Sequence, residues 1–313
     1  MKTIRQLTRP VRHWFGYFLI KLLTRCVYLL PLSASQQLGR RVGLLCRLLL
    51  PLEKRRVLTQ VTQIPSISTV EYTPVMIEKA HWSDLGQRLF EWLSGPKALS
   101  LLELTDQTYQ ELVDLQKQAK QGQAQVILTA HYGHWELMAA YLSTLGFEFC
   151  AVASSPPPGP LGHWLSQHRQ RLGVQTIHPK GGAHALKKCV KGGGVIALLV
   201  DLSTHERKLH HPFLGLEAPL SLTADRLINR FNARAYWLCN SRQANGHYLV
   251  KLKKLSPNPL HQYTSENVIK PFDQSLHMGW YTIQAHRLLE EEIRQDPKQW
   301  LWLHQRWVNR EEH

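Results

Sequence analysis

The sequence has no Cys-x-x-Cys pair, no Gly-x-Ser-x-Gly elbow and no uninterrupted apolar run long enough to cross a bilayer. Its five cysteines (Cys26, Cys46, Cys150, Cys189, Cys239) are scattered and odd in number. That speaks against a disulfide framework and a cysteine-rich zinc site, and suits a reducing compartment. Each is expected to be a buried free thiol. Without a nucleophile elbow a serine-based acyl-enzyme has no support, and Cys150 has no recognisable activating environment. A hydrophobic fraction of 43% suits a globular protein and is too low for a polytopic membrane protein. Acidic residues are also scarce, 23 against 38 Lys and Arg, for a net charge of +15.

The imbalance sits mainly at the N-terminus. Residues 1–56 hold twelve Lys/Arg and a single acid, Glu53, a net +11. The same segment is strongly apolar, through Trp14–Ile20, Leu22-Leu23, Val27–Leu32 and Val42–Leu50. Basic residues mixed with aromatic and Leu side chains compose helices that lie in or dip into an anionic bilayer surface. The run from Trp14 to Leu30, stopped by Pro31, is interrupted by Lys21 and Arg25, whereas a span wants roughly 20 mainly apolar residues. Spanning and interfacial placement both stay open. No small-residue cleavage site clearly follows, so the segment reads as a retained anchor and not a signal peptide. Positive charge on both flanks points to a cytoplasmic membrane face. The plainer reading is ordinary core helices with solvated arginines. Long apolar residues between the charges, and the lack of a recognised binding module, argue against a nucleic-acid partner.

A chain of 313 residues buries a sizeable core, as one large domain or two smaller ones. Apolar spacing predicts helices through 57–120. From residue 124 short apolar runs alternate with amphipathic segments. The predicted strands are Gln125–Ala130, Glu148–Ser154, Val174–His178, Val195–Asp201, Ala235–Ser241 and Tyr248–Leu255. Helices are predicted at 135–145, 161–172, 182–192, 219–232 and 278–294, with a short aromatic helix at Gln299–Val308. Strand and helix in alternation indicate an α/β sheet covered by helices. The stretch Ser154–Pro160 reads as a stiff loop leaving a strand end. On the last helix Trp300, Leu303, His304 and Trp307 would share one face, packed against the core.

The chemistry concentrates in Val126-Ile-Leu-Thr-Ala-His131-Tyr-Gly-His134-Trp-Glu136. An apolar strand ends in His131, and Glu136 opens a helix. Histidine lies nearest neutrality in pKa and serves as a general base. A carboxylate on its other nitrogen fixes the tautomer, and Glu136 is expected to supply it. Five residues on a continuous helix would hold the two apart, so they meet only if Tyr132-Gly133 turns the backbone. The rival reading of His131, His134 and Glu136 as metal ligands lacks a second cluster to complete the site. No metal is expected.

These residues, Ala130-His131-Tyr-Gly-His-Trp-Glu136, resemble the active-site motif of the bacterial lipid A biosynthesis (late) acyltransferases. That family belongs to the glycerolipid acyltransferase superfamily with its His-x4-Asp/Glu signature. Leu186–Asp201 resembles its Lys-Gly-Gly strand ending in Asp, and Pro212-Phe213-Leu214-Gly215 its Phe-Phe-Gly turn. Asp296-Pro297-Lys-Gln-Trp300-Leu-Trp302-Leu-His304-Gln-Arg306-Trp307 resembles its C-terminal signature. The resemblance implies a mixed central sheet flanked by helices, over residues 57–313, behind a membrane-associating helical segment at 1–56. It implies an enzyme of the inner membrane's cytoplasmic face. Acyl carrier protein would donate a fatty acyl group to a hydroxyl of an anionic lipid A precursor, with no cofactor. His131 would be the base and Glu136 its orienting partner. Arg169 or Arg171 would fill the family's Arg position, and Asp201 would support a basic partner, bind substrate or simply cap a turn. His134, where the family commonly has Asn, is expected on the turn, exposed or touching substrate. The loop at 156–158, the residues after Asp201, and Asn232-Ala233 depart from the family pattern. The same chemistry on another lipid acceptor therefore stays open beside the lipid A reading, with a non-enzymatic basic membrane- or nucleic-acid-binding protein as a remote alternative.

Overall fold

The computed structural model describes residues 9–67, 72–153, 156, 159–178, 182–202, 209–257 and 279–307. Its N-terminal helices are α1 (Arg9–Leu29), α2 (Leu32–Leu49) and α3 (Pro51–Thr62). Pro31 breaks α1 from α2, and Pro51 opens α3 at a position where a missing N–H costs nothing. Helix α4 (Pro74–Leu93) begins at Thr73, whose hydroxyl accepts from the Met76 amide. Helices α2 and α4 touch almost backbone to backbone. A Cβ placed at Gly43 would lie 2.0 Å from the Trp82 carbonyl, and one at Gly39 2.6 Å from the Gly86 carbonyl. Only glycine admits that approach.

Strand β1 (Leu102–Leu104) and helix α5 (Asp106–Lys120) lead into the sheet. The chain then alternates β2 (Gln125–Thr129), α6 (Trp135–Thr144), β3 (Phe149–Val152), α7 (Pro160–Arg171), β4 (Gln175–Ile177), α8 (Gly182–Lys191) and β5 (Val195–Leu199). A hairpin, β6 (His210–Phe213) and β7 (Leu216–Pro219), precedes α9 (Thr223–Phe231), β8 (Arg234–Arg242), β9 (Tyr248–Lys254) and α10 (Trp280–Gln295). Seven strands form one sheet in the order β1-β9-β8-β2-β5-β3-β4, parallel except for the β8–β9 pair. The mixed α/β sheet expected from the sequence is present, and all six predicted strands fall on sheet strands; Ser154, the end of one of them, lies outside the described residues. The three-residue β1 and the hairpin were not anticipated.

Central strands carry near-continuous apolar residues because both faces are covered. Val126, Leu128, Ile196 and Trp237 pack on one side with Ala285, Leu289 and Trp300. Ile127, Val195 and Leu238 pack on the other against Leu137, Met138 and Leu142 of α6.

Two expectations fail here. Residues 299–308 do not form an aromatic helix. Pro297–Gln299 makes a single 3₁₀ turn, and Trp300 continues extended, pairing with Tyr132. Trp300, Trp302 and Trp307 are buried while His304 is exposed, a pattern the assumed helical stripe does not give; Val308 lies outside the described residues. Nor are all five cysteines buried free thiols. Cys150 on β3 and Cys189 on α8 are joined by a disulfide, their Cα atoms 6.6 Å apart where α8 lies over the sheet. Cys26 is exposed, Cys46 is half-buried and Cys239 is buried.

Candidate active site

Strands β2 and β5 are parallel neighbours, with Thr129 opposite Leu199. Two residues further along each strand, that register brings His131 beside Asp201. The His131 Nδ1 lies 2.9 Å from Asp201 Oδ1, and the His131 amide donates to Oδ2 at 3.1 Å. The Trp300 indole N–H donates to the same Oδ2 at 2.9 Å. Asp201 is fully buried. Burial alone would raise its carboxyl, but the His131 imidazole and the hydrogen bonds from His131 and Trp300 outweigh it and hold it down at about 2. An ionised carboxylate only accepts, so the proton of a neutral His131 sits on Nδ1 and leaves Nε2 bare as an acceptor.

The turn carrying His131 is clamped from below. Gly133 donates to the Gln299 carbonyl at 3.2 Å, and the Leu301 amide donates to the His131 carbonyl at 3.0 Å. The Trp-rich C-terminal segment thus pairs with the turn while its indole holds Asp201. Gly133 has φ +58°, and a Cβ there would stand 2.0 Å from the Asn240 carbonyl, so the position requires glycine. Arg88 of α4, itself buried, donates to the Gly133 carbonyl at 2.6 Å and pairs with Asp84 at 2.7 Å.

Glu136 does not reach His131. It opens α6 with its carboxylate turned towards α7, where the Arg169 Nε lies 3.1 and 3.0 Å from its two oxygens and the guanidinium closes a second contact. The carboxylate at His131 Nδ1 is therefore Asp201 and not Glu136, because the neighbouring strand end faces Nδ1 and the helix start does not. Of the two candidate arginines, Arg169 is the one paired with Glu136. Arg171 is exposed and lines grooves away from it.

His134 is also not where the sequence reading put it. It is buried, with its amide donating to Asn240 Oδ1 at 2.7 Å and its Nδ1 accepting from the Leu137 amide as the cap of α6. Burial brings its imidazole down to about 4 against the pull of Glu91. Glu91 anchors a buried polar cluster that the sequence reading missed. Its carboxylate accepts from Arg242 at 2.9 and 3.0 Å, from Tyr248 at 2.8 Å, and from Gln36 and Gln87 at 2.8 Å. A helical stretch mixing Asp84, Arg88 and Glu91 with Trp and Phe was the available signal.

A narrow slot of about 90 Å³ opens beside Glu136 and Arg169 and runs between α6 and the sheet. Thr129, Ala151, Ala197, Leu142, Phe149 and Val174 are among its walls, and among the described residues Glu136 and Arg169 are the charged groups on it.

A buried carboxylate fixing a histidine's tautomer, beside an apolar slot, suits transfer of an apolar acyl group. A family model described as bacterial lipid A biosynthesis acyltransferase matches residues 2–309. The chain belongs to that family. It is accordingly an acyltransferase of lipid A biosynthesis. No curated protein matches it. In this acyltransferase the His-x4-Glu motif, the Lys-Gly-Gly strand and the Trp-rich segment converge. His131 comes from the first, Asp201 from the end of the second and Trp300 from the third.

Proposed function

We propose that this acyltransferase moves a fatty acyl group from acyl carrier protein to a hydroxyl of a lipid A precursor, with His131 as general base and Asp201 as the group that orients it. The His131–Asp201 contact carries the reading. His131 Nε2 takes the acceptor hydroxyl proton as the oxygen bonds to the thioester carbonyl carbon. The tetrahedral oxyanion collapses with cleavage of the C–S bond, and the imidazolium returns its proton to the leaving thiolate. Base catalysis of this kind is worth roughly 10²–10⁴ in rate. The Arg169–Glu136 pair borders the reacting groups, and Arg169 supplies positive charge beside the developing oxyanion, where a lost donor typically costs about 3–4 kcal/mol. The apolar slot takes the acyl chain.

An acidic carrier and a phosphorylated acceptor both suit a chain of net charge +15. The proposed place is the cytoplasmic face of the inner membrane; contact with a membrane surface is supported by exposed Trp14, Phe18 and Leu22 on α1 and Leu45, Leu48 and Leu49 on α2. Among the described residues no helix is long and apolar enough to cross a membrane; the exposed aromatic and Leu side chains of α1 suit a place in the interface. Incubating membranes that contain the protein with labelled acyl carrier protein thioester and lipid A precursor tests the reading. Label is expected in the lipid; label recovered only in free fatty acid or unchanged thioester would refute the proposed acceptor.

A further inference from the structure

The slot reaches Phe149, which packs at the edge of the core cluster around Ile127 and Leu142. Its inner end is walled by Phe149 and Ser143, and both residues also line an open groove of about 900 Å³ on the far side. That groove lies at the opposite end of the sheet from His131, among Gly146, Arg171, Gly173 and Gly194. Phe149 is the first residue of β3 and pairs with Val195, the first residue of β5. Asp201 lies six residues beyond Val195, which is roughly 20 Å of strand. The partition is thin. Phe149 is half-buried, Ser143 is half-buried, and a Cβ at Gly173 would already stand 3.1 Å from the Ser143 side chain.

We propose that Phe149, with Ser143, is the stop that sets the longest acyl chain this protein accepts, and that removing it opens the slot into the groove behind. The inference rests on the acyltransfer reading of the same site. A chain that fits the slot gains burial with each methylene, about fourfold in binding by the usual transfer free energy. One that reaches the Phe149 ring must stop or displace it. Phe149→Ala frees the path, whereas Ser143→Leu, which adds bulk from the α6 side, shortens it.

The test presents the full-length protein with an equimolar mixture of saturated acyl carrier protein thioesters from ten to eighteen carbons, and reads the lipid products by mass spectrometry. Phe149→Ala is expected to raise transfer of chains two or more carbons longer than the wild-type optimum by at least tenfold relative to that optimum. Ser143→Leu is expected to move the optimum to shorter chains. Phe149→Leu serves if the alanine variant does not fold, with a smaller shift in the same direction. Variants that transfer the wild-type distribution would overturn the proposal. A second measurement, binding of the free fatty acids of the same lengths followed by the fluorescence of slot-lining Trp135, is independent of turnover. If the wild type binds with a length cutoff and transfers nothing, the function reading fails and the stop stands. If the cutoff is the same in wild type and variants, the stop fails whatever the activity.

Discussion

Asp201 accepts three hydrogen bonds at a fully buried position, two of them from the residue whose ring it orients. Its folded value of about 2 lies below the ordinary 3.8, so the carboxylate stabilises the fold above about pH 4 and that contribution is lost as the pH falls through about 2. Asp201→Asn should remove this part of the acid sensitivity, visible as a shallower dependence of unfolding free energy on pH below 4. The same substitution keeps the side chain's shape but allows the wrong tautomer of His131, and turnover should fall by about 10²–10⁴. Glu136→Gln should cost less, because Glu136 holds Arg169 and not His131. Steady-state kinetics of the two variants separate them, and a greater loss in Glu136→Gln would reverse the assignment.

Helix α2 fits against α4 only because Gly39, Gly43 and Gly86 lack side chains. Gly43→Val would drive a side chain into the Trp82 carbonyl, and overpacking of this kind costs roughly 1–3 kcal/mol; a lower midpoint in chemical denaturation, with slope unchanged, is the expected result. The strands were legible at this scale because buried parallel strands are short apolar runs bounded by polar turns. Their order was not. The β2–β5 pairing joins segments separated by dozens of residues, and only that pairing makes Asp201, not Glu136, the neighbour of His131. The sequence reading singled out both Asp201 and Arg169 but had no register with which to assign their partners. The Trp300 segment failed as a helix for a related reason. Its i, i+3, i+4, i+7 spacing is real, yet a single 3₁₀ turn at Pro297–Gln299 gives way to an extended backbone at Trp300 that pairs with Tyr132. The close contacts of α2 follow a four-residue spacing of small residues, Ser35, Gly39 and Gly43, which the apolar pattern did not bring out.

Across the whole molecule, burial keeps several histidines neutral. His81 and His134 are brought down to about 4 and His286 to about 3, in each case first by burial. Between about pH 6.5 and 4 the unfolded chain binds protons that the folded chain refuses, so stability rises with pH there, by about 1.4 kcal/mol per pH unit for each histidine. Asp225, pushed up to about 6 by burial, acts in the opposite sense below pH 6, one proton against three. Thermal unfolding should therefore occur at a lower temperature at pH 5 than at pH 7.5; a flat or reversed dependence would mean these rings are not buried neutral. The most direct test of the account is turnover of the wild type, His131→Ala, Asp201→Asn and the double variant in acyl carrier protein-dependent transfer to lipid A precursor, with folding checked by circular dichroism. The account predicts that His131→Ala abolishes nearly all transfer and that adding Asp201→Asn makes it no worse, since the aspartate acts through the histidine. Full transfer by folded His131→Ala, or a further large loss in the double variant, would contradict it.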